Sequence, residues 1–372
     1  MDAKVHPAIA VLVIALAILA IVVWTWGSGQ AKEIGGPAGL LTDPSGNLYI
    51  QMGNQLLEHD PDGLFLERHD LARLGVGNVI GAIGFFSNGD VLLRRGTDSR
   101  SLSDKVRAYL RHTNQNTLTP DVAETGLYRC SLGSTECTPF GSPPVDFKAT
   151  FGLFIDWQAD DVYVSDTTRH VLRKYAADGF PLAGPAGGFR FPNQLLLDDG
   201  QLLVADTNHH RIGVIDPATT KFGNELSSID VVPAEARRAK RTWPSHLARI
   251  GDDFWVNNMR ATMSEGAIYI FDSDWRFSRA VTLPAGADPV AVQPFNGEVL
   301  ISDWDNDRVH RVSVAGHVLG DFRSPGLAAL VGQAVGERRR YQALAWLGVG
   351  LFVLVVVVLL IKILTSTRQQ SI

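Results

Sequence analysis

Along most of the chain, apolar residues come in short runs separated by Pro, Gly, Asp and Asn. The stretch PNQLLLDDGQLLVADTNHHRIGVID, Pro192 to Asp216, shows the unit: a Pro-led turn, an apolar run, an Asp-Asp-Gly turn, a second run ending in Val-Ala-Asp, a polar bend and a third run. That order predicts strand, hairpin, strand, turn, strand. It recurs as FGLFIDWQADDVYVSDTTRHVLRKYAADG from Phe151 and as PVAVQPFNGEVLISDWDNDRVHRVSVAG from Pro289. An acidic residue follows the second strand in each of these copies: Asp166, Asp206 and Asp303. Fainter copies start at Gly36, Gly81 and Pro244, where Met52, Arg95 and Asn258 hold the place of the aspartate. Six copies at a period of roughly 40 to 50 residues predict an all-β fold, a six-bladed β-propeller with one four-stranded blade per copy. A solenoid of that period needs a helix per repeat, and no repeat carries helical spacing of apolar residues.

Two long apolar runs stand outside the pattern. Residues 8–26, AIAVLVIALAILAIVVWTW, and 343–361, ALAWLGVGLFVLVVVVLLI, contain no charge. Each is near the roughly 20 residues that cross a bilayer as a helix. Trp24, Trp26 and Trp346 fall near the run ends, where indoles favour the interface. The expected organisation is a transmembrane helix at 8–26, a propeller at 35–326 and a second transmembrane helix at 343–363. A cleaved signal peptide is the alternative for the first run, but the run exceeds the usual apolar core and TWGSGQAKE offers no clear cleavage site.

Blade 2 is interrupted by an expected insertion at about 97–147. Within it Leu102, Val106 and Leu110 recur every four residues after a Ser or Asp start, which predicts a short amphipathic helix. The only cysteines, Cys130 and Cys137, have a spacing that a hairpin closes with a disulfide; the alternative is two buried thiols. Basic residues nearly tie across the two runs: Lys4, Lys362 and Arg368 on the tails, against Lys32 and Arg338, Arg339 and Arg340 on the propeller side. The cysteines favour a propeller exported to the periplasmic or extracellular side of a bacterial inner membrane, with both termini cytoplasmic.

Composition narrows the chemistry. Thirty-six glycines and 18 prolines in 372 residues suit many tight turns. A net charge of −5 and a pI near 6.1 argue against the strongly basic stripe of a nucleic-acid binder. The basic cluster ARRAKR, 236–241, reads as a solvated inter-blade loop or a contact for acidic lipid head groups. The chain has no phosphate-cradling Gly-Lys-Ser/Thr loop, no paired-cysteine zinc spacing, no His-Glu-x-x-His and no Gly-x-Ser-x-Gly elbow.

The segment VADTNHHRIGVID resembles the core of an NHL repeat, and VSDTTRHVLRKY and ISDWDNDRVHRV resemble relaxed versions of it. The resemblance spans about Gly36 to Arg323 and implies an NHL-type propeller that binds proteins or extended ligands at a face of loops. It also implies that Asp166, Asp206 and Asp303 tie the following bend through backbone hydrogen bonds, with Arg211 and Arg308 as further structural repeat positions. His209 and His210 are expected in a turn, since neighbours in a strand face opposite sides.

In FRFPNQLLLDDGQLLVADT and TWPSHLARIGDDFWVNN the chain is similar to gluconolactonase-like and strictosidine-synthase-like propellers. That resemblance implies a divalent metal in the channel, held by a Glu, an Asn and an Asp. Asn193 matches the Asn; Ser245 stands in place of the Asp; the Glu position falls near Gly36, with Glu33 three residues away. Loss of two anionic ligands weakens a site for a hard cation. The expectation is a non-enzymatic scaffold or sensor in the cell envelope, anchored in a membrane and binding a protein partner, with no cofactor and no nucleic acid. The alternative is a Ca- or Zn-dependent lactonase or esterase with Asn193 among its metal ligands.

Overall fold

The computed structural model describes residues 7–77, 79–96, 125–134, 136–147, 149–231, 243–259 and 266–370. The chain divides into two compact units: Gly36–Ala328, and a helical unit of Met1–Gly35 with Ala329–Ile372. The first is a six-bladed β-propeller. Blade 1 holds β1 (Gly39–Thr42), β2 (Leu48–Met52), β3 (Gln55–His59) and β4 (Phe65–Asp70). Blade 2 holds β5 (Gly84–Phe85), β6 (Val91–Arg95), β7 (Gly126–Cys130) and β8 (Cys137–Pro139). Blade 3 holds β9 (Phe151–Asp156), β10 (Asp161–Asp166) and β11 (Val171–Tyr175), with bridges from Leu172 to Ala186 and from Tyr175 to Pro181 in place of a fourth strand. Blade 4 holds β12 (Pro192–Asp198), β13 (Gln201–Asp206), β14 (Arg211–Ile215) and β15 (Glu225–Asp230). Blade 5 holds β16 (Trp243–Ile250), β17 (Asp253–Met259), β18 (Ala267–Phe271) and β19 (Phe277–Ala280), and blade 6 β20 (Pro289–Phe295), β21 (Glu298–Asp303), β22 (Arg308–Ser313) and β23 (Val318–Asp321). Every blade is built from consecutive antiparallel strands.

The second strands explain the apolar runs. In β10, β13, β17 and β21 the aliphatic and aromatic residues are buried on both faces, because each blade is covered by a neighbour on either side. Outer strands such as β15 are exposed and read as polar. The core is accordingly divided between blades. Phe86, Leu92 and Leu127 of blade 2 pack on Phe151, Val162 and Val164 of blade 3, and Leu203 and Ala205 of blade 4 pack on Phe254 and Val256 of blade 5. Each fully buried Val, Leu or Phe side chain contributes about 1.5 to 3 kcal/mol.

Polar staples fix the angle between blades. Three inner strands carry a proline at their first or second position, followed by a register shift: Pro192 in β12, Pro244 in β16 and Pro289 in β20. The proline carbonyl accepts a hydrogen bond from the second strand or following turn of the preceding blade. Thr207 Oγ1 donates to Pro244 O at 2.7 Å, Thr167 Oγ1 to Pro192 O at 2.8 Å and Asn257 Nδ2 to Pro289 O at 2.6 Å. All three side chains are buried, so each bond satisfies groups that water cannot reach.

The repeated aspartates sit beside the staples. Asp206 accepts from the Arg190 N–H at 2.7 Å, before the inner strand of its own blade, and from Arg211 Nε and His209 Nδ1 at 2.8 Å. Asp303 accepts from the Asp288 N–H at 2.9 Å and from Asn306 Nδ2 at 3.0 Å. Asp166 instead accepts from the Arg169 N–H at 3.2 Å, in the bend that follows. Arg211 also forks onto Glu225, whereas Arg308 reaches Asp321 at 3.4 Å and leaves the Asp303 carboxylate to His310. His209 ends a one-turn 3-10 helix and His210 takes φ 59°; the matching bend residues His170 and Asp307 take 62° and 56°. Short polar side chains and His tolerate this left-handed conformation best.

Blade 6 meets blade 1 without sharing a strand. His59 is buried between Phe65 and Phe322, and its Nε2 lies 2.8 Å from Ser324 Oγ. Burial lowers the His59 pKa, which favours the neutral ring. At the other end of the seam the Gly36 N–H donates to Trp304 O at 3.1 Å.

The helical unit contains α1 (Pro7–Glu33) and most of α2 (Pro325–Gln370). Both are long and apolar enough to cross a membrane, over Val11–Glu33 and Pro325–Lys362. The second helix begins well before the expected 343, because Ser324 Oγ caps the Leu327 N–H at 3.2 Å, Pro325 suits the first helical position, and the polar stretch that follows is rich in helix formers. The insertion in blade 2 is shorter than the expected 97–147. β7 and β8 complete the blade, and Cys130 faces Cys137 across them in a disulfide. Their short strands lack the aliphatic run that marks the other blades. The expected helix at Leu102, Val106 and Leu110 and the basic cluster 236–241 lie outside the described residues.

Two measurements test these interactions. Thr207→Val keeps the shape but orphans the Pro244 carbonyl, and urea denaturation should show a loss of about 2 kcal/mol. His310 lies 3.0 Å from Asp303 Oδ2 and 3.1 Å from Asp321 Oδ1. The bond to Asp303 raises the imidazole pKa above 6.5 against burial. In turn, burial pushes the Asp303 carboxyl up, but bonds from His310, the Asp288 N–H and Asn306 outweigh it, and the pKa falls below 3.8. The His310 contribution is complete below its ordinary pKa and lost as pH rises through the raised one; that of Asp303 is complete above its ordinary pKa and lost as pH falls through the lowered one. Thermal unfolding against pH should therefore plateau between these limits, and His310→Asn should flatten the alkaline decline.

Candidate functional site: the central channel

The inner strands line an axial channel. One cavity of about 550 Å³ and another of about 710 Å³ share Leu40, Leu41, Ile83, Leu153, Gln194 and Val292. They are the two halves of one passage, meeting at a mainly apolar collar to which blades 1, 2, 3, 4 and 6 contribute. Both volumes fall in the range of small-molecule sites.

The halves differ in charge. The smaller is lined by Gln51, Asn54, Thr150, Asn193, Gln194 and His246 among apolar side chains, and no Asp, Glu, Lys or Arg is among its described lining residues. The larger carries Asp156, Asp199 and Arg249. Burial lowers the His246 pKa to about 4, so the imidazole is neutral at physiological pH; its Nδ1 lies 3.2 Å from Ser245 Oγ. The amides are held from behind. Gln194 Oε1 accepts from the Leu247 N–H at 2.6 Å, Asn54 Nδ2 donates to Gly77 O at 2.7 Å, and Asn193 Nδ2 donates to Thr207 Oγ1 at 2.6 Å.

Of the residues expected to hold a metal, Asn193 and Ser245 belong to the propeller and Glu33 to the other unit. Asn193 lies in the channel but its amide nitrogen is bound to the Thr207 staple. Ser245 is buried and supplies no carboxylate. Glu33 belongs to the helical unit, where Gln30 Nε2 donates to it at 3.0 Å. Among the described residues no three His, Cys, Asp or Glu side chains are grouped to hold a metal ion. The donor set does not fit a hard divalent cation, which needs several anionic oxygens. Sequence reasoning passed over His246, Gln194, Gln51 and Asn54. For Gln194 and His246 the available signal was the polar pair just after a proline at a strand start, as in PNQ and PSH.

Comparison with known proteins agrees on architecture. Residues 189–215 match the model of the NHL repeat. The fold is similar to that of a catalytically inactive variant of virginiamycin B lyase from Staphylococcus aureus with quinupristin, at 14% identity and a TM-score of 0.50, covering 78% of this chain and 85% of that one. The selenomethionine form of that lyase gives 14% identity and a TM-score of 0.47 over 76% and 83%. The computationally designed Ika8 protein gives 12% and 0.40 over 76% and 72%. No curated protein matches the sequence. The chain carries an NHL repeat within a six-bladed β-propeller, flanked by two apolar helices.

Asn193→Ala removes one hydrogen bond to Thr207 and should cost about 1 kcal/mol or less by urea denaturation. Elemental analysis should find the same substoichiometric calcium and zinc in wild type and variant.

Proposed function

We propose that this protein is a membrane-anchored NHL-repeat propeller acting as a non-enzymatic protein-interaction, scaffold or sensor module in the cell envelope. The observation that carries the reading is the half of the channel with no Asp, Glu, Lys or Arg among its described lining residues. Neutral amides and a neutral imidazole beside apolar side chains bind and orient, but they supply neither a carboxylate for a metal nor an acid and base with pKa values near the working pH. Metal-dependent lactone or ester hydrolysis finds no support in that lining. The likeness to a lyase is a likeness of fold, and fold alone does not transfer an activity.

Anchoring by α1 and α2 confines the propeller to a surface, which raises its effective concentration toward membrane neighbours. The disulfide between Cys130 and Cys137 supports an oxidising compartment, and so a propeller on the periplasmic or extracellular side of a bacterial inner membrane.

Crosslinking in intact cells, followed by purification in mild detergent, should recover a defined protein partner, and the purified chain should open neither simple lactones nor aryl esters. A membrane-impermeant thiol reagent should label Cys130 and Cys137 from outside only after reduction. Labelling without reductant, and only once the membrane is opened, would move the propeller to the cytosol; hydrolysis that survives Asn193→Ala would remove the non-enzymatic reading.

A further inference from the structure

The helical unit concentrates one kind of chemistry at one end. α1 and α2 run antiparallel: Ile34 meets Arg338, Trp26 meets Tyr341, and Trp24 and Ala20 meet Gly348. The approach is close enough that a Cβ on Gly348 would lie 2.7 Å from the Trp24 nitrogen, and one on Gly27 2.9 Å from Tyr341 O. That register brings Trp24, Trp26, Tyr341 and Trp346 to the same level, although they lie far apart in sequence. Trp346 is 73% exposed, and Trp24 and Trp26 are each 49% exposed. Aromatic side chains of this kind mark the boundary between hydrocarbon and head groups. The opposite end of the pair has no Trp or Tyr.

The basic residues gather at the same end, just beyond the aromatic ones. Arg338 is engaged, donating through Nε and Nη2 to Ile34 O at 3.2 and 2.8 Å, where the backbone leaves the C-terminal end of α1. Lys32, Arg339 and Arg340 are exposed and enter no ion pair among the described residues. The neighbouring carboxylates each accept from a glutamine: Glu33 from Gln30 at 3.0 Å and Glu337 from Gln333 at 3.3 Å. Arg340 and Trp346 are separated by about 9 Å along the helix axis. Three exposed cations thus flank an aromatic belt at the depth where lipid phosphates lie.

We propose that Lys32, Arg339 and Arg340 form a binding surface for the phosphate-bearing head groups of anionic lipids. The proposal rests on the membrane reading above. Guanidinium groups pair with phosphate in a forked geometry, and the belt holds them at head-group depth, where the surrounding dielectric is lower than in bulk water. Each basic residue near an anionic surface changes binding by about fivefold.

The test uses the full chain, extracted in an uncharged detergent and titrated with phosphatidylglycerol or phosphatidylcholine, with bound lipid read by native mass spectrometry. Wild type should prefer phosphatidylglycerol by at least about tenfold, and the combined Lys32→Gln, Arg339→Gln, Arg340→Gln variant should lose that preference. Lys362→Gln with Arg368→Gln, at the other end, should retain it. Circular dichroism establishes that both variants stay folded. Equal binding of the two lipids by wild type, or an undiminished preference in the triple variant, overturns the proposal. Displacement of the lipid by an equal concentration of inorganic phosphate would reassign the surface to free phosphate. Recovery of the chain from the soluble fraction without detergent would instead sink the membrane reading itself, before any titration.

Discussion

The hydrogen bond from one blade to the proline carbonyl that opens the next is the constraint on which the propeller depends. Apolar packing between blades is strong but nearly indifferent to small rotations, whereas a buried carbonyl left without its donor is costly. Thr167, Thr207 and Asn257 fix the angles between blades 3 and 4, 4 and 5, and 5 and 6. The aspartates beside them act locally, holding the start of a blade's own inner strand at Asp206 and Asp303 and the outgoing bend at Asp166. At Asp166-Thr167 and Asp206-Thr207 staple and aspartate are adjacent in sequence, so one dipeptide serves both joints.

The same staples shape the channel. A proline followed by a bulge turns Asn193, Gln194 and His246 toward the axis, and Thr207 then holds Asn193 from behind. Residues that fix the ring thereby set the polarity of its interior. The result is a passage with one neutral half and one charged half, divided at the collar. A full charge entering the neutral half would lose hydration and meet no Asp, Glu, Lys or Arg among the described lining residues.

The helical unit solves a separate problem. Gly27 and Gly348 permit a close backbone approach between α1 and α2, and Arg338 satisfies a carbonyl just beyond the end of α1. With Arg338 so engaged, its neighbours Arg339 and Arg340 remain exposed beside the aromatic belt.

Much of this was legible in the chain. Alternating apolar runs and turn residues determined six blades, because a strand buried on both faces must be continuously apolar; two uncharged runs determined two helices, because apolar runs of that length without turn residues exceed any strand. The pairing of Cys130 with Cys137 was one of two readings, and β7 and β8 were hidden because short strands stapled by a disulfide need no aliphatic run. The channel was not legible. Asn193, Gln194 and His246 acquire their roles only when six inner strands converge, and Asn193 is oriented only when Thr207 arrives beside it. Repeats specify local geometry through periodicity, but the distance between side chains from different repeats is decided by how the ring closes.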